Sequence, residues 1–100
     1  MIRFQRSLQI SQGKGVEATK WSKEITAFLN GKYTDTSVQL FEHRFGVINT
    51  LVWHLDFDNL ASLDKYQKTL NVDEEYLALV GKSLGLFIEG SLVDTVFETF

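Results

Sequence analysis

The sequence predicts an α+β domain built on one four-stranded antiparallel sheet, with its helices on a single face. Two observations carry this expectation: the hydrophobic period switches between two and about 3.6 in the order β-α-β-β-α-α-β, and one strand is apolar on both faces. The chain has 100 residues, 44% hydrophobic and 23% charged, with no proline and no linker-like stretch, so residues 1–100 are read as one domain.

Over the first ten residues Ile2, Phe4, Leu8 and Ile10 share one side with Arg6, and Arg3, Gln5, Ser7 and Gln9 share the other. That alternation is a half-buried strand. SQGKG breaks it. Residues 16–30 then space Ala18, Trp21, Ile25, Phe28 and Leu29 along one helical face, and Asn30-Gly31 supplies a stop. Two strands follow, 37–45 and 47–57, joined at Gly46. The second, VINTLVWHLDF, sets Leu51, Trp53, Leu55 and Phe57 on one side and Ile48, Val52, His54 and Asp56 on the other.

Asp58 is the expected N-cap of a helix carrying Leu60, Leu63, Tyr66 or Gln67, and Leu70 at helical spacing. Asn71, with Glu74 three residues on, resembles a capping box and opens a further helix over about 72–84 that buries Tyr76, Leu77, Val80 and Leu84. Gly85 ends it, and a last strand lies near 91–99. This order is the split βαβ, ferredoxin-like arrangement. Helices cover one sheet face only, so the two-sided strand 47–57 needs a second cover. A second copy packed sheet to sheet across a two-fold axis is the simplest, which predicts a homodimer.

Composition excludes several function classes. There is no cysteine, hence no disulfide framework, thiolate zinc site, iron–sulfur cluster or cysteine nucleophile. Ten basic against thirteen acidic residues give a net charge of −3, and no basic patch with interleaved aromatics is visible, so nucleic acid is not an expected partner. No apolar run approaches the roughly 20 residues needed to span a bilayer, and Arg3 and Arg6 interrupt the N-terminal apolar pattern, so neither a membrane nor a secretory signal is expected. The expected compartment is the cytoplasm.

The element order, the length and the stretch Val52–Leu92 (VWHLDFDNLASLDKYQKTLNVDEEYLALVGKSLGLFIEGSL) resemble the dimeric α+β barrel superfamily. That group includes proteins similar to antibiotic-biosynthesis monooxygenases, NIPSNAP-like and EthD-like proteins and muconolactone isomerases. The resemblance covers nearly the whole chain and implies the fold and the dimer. It carries no catalytic signature, because one fold hosts many functions. Haem-degrading members use an asparagine on the first strand with a tryptophan and a histidine in the second helical region. Here the first strand has Arg6 and Ser7 at its centre, and residues 59–84 contain neither His nor Trp, so that activity does not carry over.

Three groups of residues could carry chemistry. Arg6, His43, Asn49 and Trp53 are expected to converge with Trp21 and Tyr66 in a cleft between sheet and helices. A guanidinium and an imidazole in an apolar cleft can bind an anion or move a proton; the plainer reading is that Arg6 snorkels to the sheet edge or pairs with an acid, His43 is a satisfied core residue and the aromatics are core. His54 and Asp56, two apart on one strand face, could form an oriented general base, or could be polar groups satisfied at the dimer interface. Gly13-x-Gly15 lacks the third glycine of a dinucleotide loop, since Ala18 stands there, and serves a turn.

Two functions are therefore expected as alternatives. One is a small enzyme of monooxygenase or isomerase type, without metal or cofactor, acting on a small hydrophobic, aromatic or anionic molecule. Arg6, Asn49, Trp53, Trp21 and Tyr66 would bind it, with His43 or the His54–Asp56 pair as base. The other is a non-catalytic dimer that binds a small apolar ligand or protects against stress.

Overall fold

The computed structural model describes residues 1–100. Its elements are β1 (Ile2–Gln9), α1 (Gly15–Lys32), β2 (Val38–Glu42), β3 (Thr50–Phe57), α2 (Leu60–Leu70), α3 (Glu74–Gly81) and β4 (Val93–Glu98). The strands form one antiparallel sheet in the order β2-β3-β1-β4, which is the ferredoxin-like α+β fold expected from the sequence. Each crossover helix returns the chain over one strand, so β1 and β3 occupy the centre.

Register decides which residues face the helices. Arg6 lies opposite Trp53 on one side and Asp94 on the other, and Gln5 lies opposite His54. Paired residues in an antiparallel ladder point the same way. One face therefore carries Ile2, Phe4, Trp53, Leu55, Phe57 and Val38, all buried beneath Ile25 and Leu29 of α1 and Leu63 and Leu70 of α2. Each such side chain contributes about 1.5–3 kcal/mol by leaving water. The opposite face carries Arg3, Gln5, Val52, His54, Asp56, Phe41, Val93 and Phe97, and no helix covers it.

Several boundaries differ from the sequence expectation. The hairpin strands are shorter: the chain leaves the sheet at Glu42 and re-enters at Thr50, and a loop spans 43–49. Gly46 (φ 109°) and Asn49 (φ 56°) take left-handed conformations there, which breaks the alternation extrapolated through His43 and Phe45. The cap of α2 is Asn59 rather than Asp58; its side chain accepts from the Ser62 amide at 2.9 Å. The cap of α3 is Asp73, and Asn71 instead closes α2. α3 ends at Gly81, short of Gly85, and none of its side chains is fully buried: Leu77 and Val80 are exposed, as is Leu84 beyond it. No helix is long and apolar enough to cross a membrane.

Asp73 wins the cap because three donors converge on its carboxylate. The Tyr76 amide donates to it at 3.1 Å, the Tyr33 hydroxyl donates to it, and Lys32 Nζ lies 2.9 Å away. One buried carboxylate thus ties the C-terminal end of α1 to the start of α3. The Tyr33 hydrogen bond first, then Lys32 and the Tyr76 amide, hold the Asp73 carboxyl well below its ordinary range. A group depressed in the folded state stabilises the fold above its unfolded pKa of about 3.9, and that stabilisation is lost as pH falls towards the folded value. Asp73→Asn is therefore expected to melt below wild type at pH 7. The gap narrows as pH drops below about 4, where the unfolded chain takes up the proton that the folded carboxylate resists. Thermal melts of both proteins between pH 2 and pH 7 check this; a gap independent of pH would count against the charge of Asp73 as the cause.

Candidate functional site

A cavity of about 890 Å³ lies between the helix-facing side of the sheet and the helices. β1 contributes Phe4, Arg6 and Leu8, and β3 contributes Trp53 and Leu55. Trp21 and Ile25 come from α1, Leu63 and Tyr66 from α2, and Tyr76 and Val80 from α3. The segment between α3 and β4 closes the remaining side with Leu84, Phe87, Ile88, Glu89 and Leu92. Its main-chain path is pinned by the Ile10–Phe87 bridge and by the Ile88 amide donating to the Gln9 carbonyl at 2.8 Å.

The wall is aromatic and stiff. Trp21 meets Trp53 edge to face at 6.3 Å between ring centroids, and Phe87 meets both, at 5.6 and 6.5 Å. Both indole N–H groups are satisfied inside the protein, Trp21 Nε1 by the Leu79 carbonyl (2.8 Å) and Trp53 Nε1 by Thr26 Oγ1 (3.0 Å). Such bonds fix the rings and leave their apolar faces to the cavity.

Two polar groups on the wall have contrasting states. Arg6 is paired through two parallel bonds with Asp94, Nε to Oδ1 at 2.8 Å and Nη2 to Oδ2 at 2.9 Å, and its guanidinium sits 5.6 Å from the centre of the Phe4 ring. The Asp94 hydrogen bonds raise the Arg6 pKa, against the opposing effect of burial. Tyr66 packs against Phe57 at 5.4 Å and Tyr33 at 5.9 Å, and its hydroxyl is cut off from solvent without a hydrogen-bond partner in the chain. Burial, reinforced by the neighbouring Tyr76 and Tyr33, raises its pKa.

Of the residues singled out in the sequence, Arg6, Trp21, Trp53 and Tyr66 meet at this cavity. His43 and Asn49 do not: both lie in the exposed 43–49 loop, where His43 Nδ1 donates to the Val47 carbonyl at 2.9 Å. The expected convergence failed because Phe41, which shares the parity of His43, pairs with Val52 and so faces away from the helices. His54 and Asp56 are on that same outer face, remote from the cleft by the thickness of the sheet, and they do not bond each other. Both Asp56 oxygens accept from Arg3, at 2.8 and 3.0 Å, and His54 Nε2 donates to Gln5 Oε1 at 2.8 Å. Burial, then the charge of Arg3, lowers the His54 pKa against the pull of Asp56, so the ring is neutral at pH 7. A shallower depression of about 320 Å³ on this face is lined by Arg3, Gln5, His54 and Phe97 among others. Nowhere do three or more His, Asp or Glu side chains gather in an arrangement able to hold a metal ion.

Sequence reasoning missed Tyr76 and the 84–92 wall as parts of the site. The signal was present: Leu84, Phe87, Ile88 and Leu92 are four large apolar residues in a segment punctuated by Gly85 and Gly90, too rich for a solvated loop.

No protein-family model matches the chain, and no curated protein matches it by sequence. Solved structures do. An uncharacterised NIPSNAP domain protein of Burkholderia xenovorans superposes with a TM-score of 0.83 at 16% identity, over 100% of this chain and 95% of the other. A NIPSNAP family protein of Agrobacterium tumefaciens gives 0.78 at 18% identity, over 99% and 92%. An antibiotic biosynthesis monooxygenase gives 0.72 at 12% identity, over 100% and 99%. The chain therefore has the fold of the superfamily that its sequence resembles, and similarity at this level speaks for the fold alone.

The Arg6–Asp94 pair is about one-third exposed on both sides, 34% for each side chain, so its strength should be modest. A double-mutant cycle with Arg6→Met and Asp94→Asn is expected to give a coupling energy of about 1 kcal/mol or less in chemical denaturation. A coupling above roughly 3 kcal/mol would show that the pair is effectively desolvated.

Proposed function

We propose that this protein is a homodimer whose subunits each bind a small apolar, aromatic molecule in the cleft between sheet and helices. The observation that carries the binding reading is the cavity itself. At about 890 Å³ it falls within the roughly 300–1,000 Å³ of small-molecule sites, and it has two tryptophans held rigid by internal hydrogen bonds. A domain of this size gains stability by filling such a space, and aromatic residues with satisfied polar atoms suit a flat ligand.

The dimer rests on the uncovered sheet face. Val52 is only 6% exposed there, yet Phe41 beside it and Phe97 further along the face remain 45% and 47% exposed, and Val93, across β1 from Val52, is exposed as well. The charged groups on the same face, Arg3 and Asp56, are already paired and Gln5 holds His54, so a second sheet can cover them without stranding a charge. Face-to-face sheet packing about 10 Å apart is the standard way to cover such a surface.

A second reading, an enzyme of monooxygenase or isomerase type acting on that ligand, draws on the name of the antibiotic biosynthesis monooxygenase with this fold. His43, His54 and Asp56 lend it no support, since none reaches the cleft. The titratable side chains on the wall are Arg6, Tyr66, Tyr76 and Glu89.

Native mass spectrometry at micromolar concentration is expected to show two chains, and Phe41→Asp with Phe97→Asp to give a monomer. A wild-type monomer would sink the dimer. The two tryptophans both line the cleft, so their emission should respond to tetralin. Leu63→Phe, which narrows the cavity, should weaken that response at least roughly ten-fold, whereas His54→Gln should leave it unchanged. Oxygen uptake above the protein-free rate on adding an oxidisable aromatic would favour the enzyme reading over simple binding.

A further inference from the structure

The cleft reading leaves open which polar group of the wall meets the ligand, and the way Arg6 is paired bears on that. Arg6 is the only cation lining the cavity. Asp94 holds its guanidinium by the Nε–Nη2 edge, at 2.8 and 2.9 Å. The group is planar and trigonal, so a carboxylate on that edge leaves Nη1 pointing directly away from it. β4 flanks β1 on one side and β3 on the other, so the side away from Asp94 is that of Trp53, which lines the cleft. Nη1 bonds to nothing within the chain, and it is not sealed off. The Arg6 side chain keeps 34% of its surface, and the polar side-chain atoms buried without a partner belong to Ser22 and Tyr66. Tyr76 stands near: after the Asp94 hydrogen bonds it adds to the rise in the Arg6 pKa, though no hydrogen bond joins the two. What faces the cleft is therefore an open N–H donor whose charge is already balanced. A ligand carboxylate there would share the guanidinium with Asp94 and meet Glu89 on the same wall. An uncharged oxygen gains the hydrogen bond without that repulsion.

We infer that Arg6 Nη1 is the hydrogen-bond donor of the cleft, and that Asp94 sets it for an uncharged carbonyl oxygen on an aromatic ligand rather than for a carboxylate. The inference rests on the proposed cleft-binding function and adds the chemical class of the ligand. Asp94 fixes the guanidinium and balances its charge, Nη1 donates to the carbonyl, and the rings of Trp21, Trp53 and Phe87 take the apolar body. An arginine among apolar residues, which in the sequence suggests anion binding, thus serves a neutral group.

Three probes of similar size separate the outcomes: 1-tetralone (a ketone), tetralin (its hydrocarbon counterpart) and 1-naphthoate (an anion). Binding is read by tryptophan emission and by calorimetry. Wild type is expected to prefer 1-tetralone to tetralin about ten-fold, the worth of a hydrogen bond from a charged donor, and to bind 1-naphthoate most weakly. Arg6→Met combined with Asp94→Asn removes both charges together and should bring the ketone-to-hydrocarbon ratio close to one. Asp94→Asn alone leaves the guanidinium uncompensated and should tighten 1-naphthoate at least about five-fold, the worth of one charge at contact even in water. A wild-type ratio near one, or a ratio unchanged in the double variant, overturns Nη1 as the donor. A ratio that collapses in Tyr76→Phe and survives in the double variant moves that role to Tyr76. Tightest binding of 1-naphthoate by wild type, or no gain in Asp94→Asn, overturns the part given to Asp94. In each of these cases tetralin still binds and the cleft function stands. Should the double variant fail to fold, the wild-type ratio and the Asp94→Asn gain still decide. If none of the probes binds, the cleft function fails and this inference fails with it.

Discussion

Strand β3 is hydrogen-bonded along both edges, to β1 over eight residue pairs and to β2 over five, and every part of the molecule takes its position from that double pairing. Because successive side chains alternate, the ladder that fixes Trp53 opposite Arg6 also fixes His54 opposite Gln5. Trp53 and Leu55 are thereby committed to the helices and the cleft, and Val52, His54 and Asp56 to the outer face. A slip of one residue would exchange the two sets and put an imidazole and a carboxylate into the core. The buried set on the helix side makes that exchange costly, so the register is strongly specified.

The polar side chains on the sheet follow from the same register. Arg3 meets Asp56 and Arg6 meets Asp94 because each pair is directly opposed across a ladder. The arginines answer carboxylates on neighbouring strands with two-point hydrogen bonds, which is the geometry a planar guanidinium favours. These pairings draw off the groups that would otherwise look catalytic. What remains unanswered on the inner side are the hydroxyls of Tyr66 and Ser22, and on the outer side an apolar surface.

Much of this was legible in the sequence. The period-two runs located β1 and β3, the helical spacing located α1 and α2, and the two-sided apolarity of VINTLVWHLDF marked the strand that carries the architecture. Arg6, Trp21, Trp53 and Tyr66 were recognisable as neighbours because each lies on the apolar face of its element. Legibility failed where alternation was extended beyond the ladder. His43 and Asn49 looked like strand residues, and positive φ at Gly46 and Asn49 had already taken the chain out of the sheet. It failed again at the caps, where Asp58 and Asn71 are as good a residue type as Asn59 and Asp73, and the choice went to the side chain with more donors around it.

The sequence by itself determined the element order, the α+β class and the faces of the central strands, because these are local periodicities written in residue type. It also determined that cysteine chemistry is absent. Only the tertiary structure decided that His54 and Asp56 are each bound to a different partner, that Arg6 is neutralised by Asp94 from 88 residues away, and that Tyr66 has no partner at all. The reason is physical: a side chain's chemistry depends on what crosses from the neighbouring strand or helix. That partner is set by register and packing over long sequence separations, which no local pattern encodes.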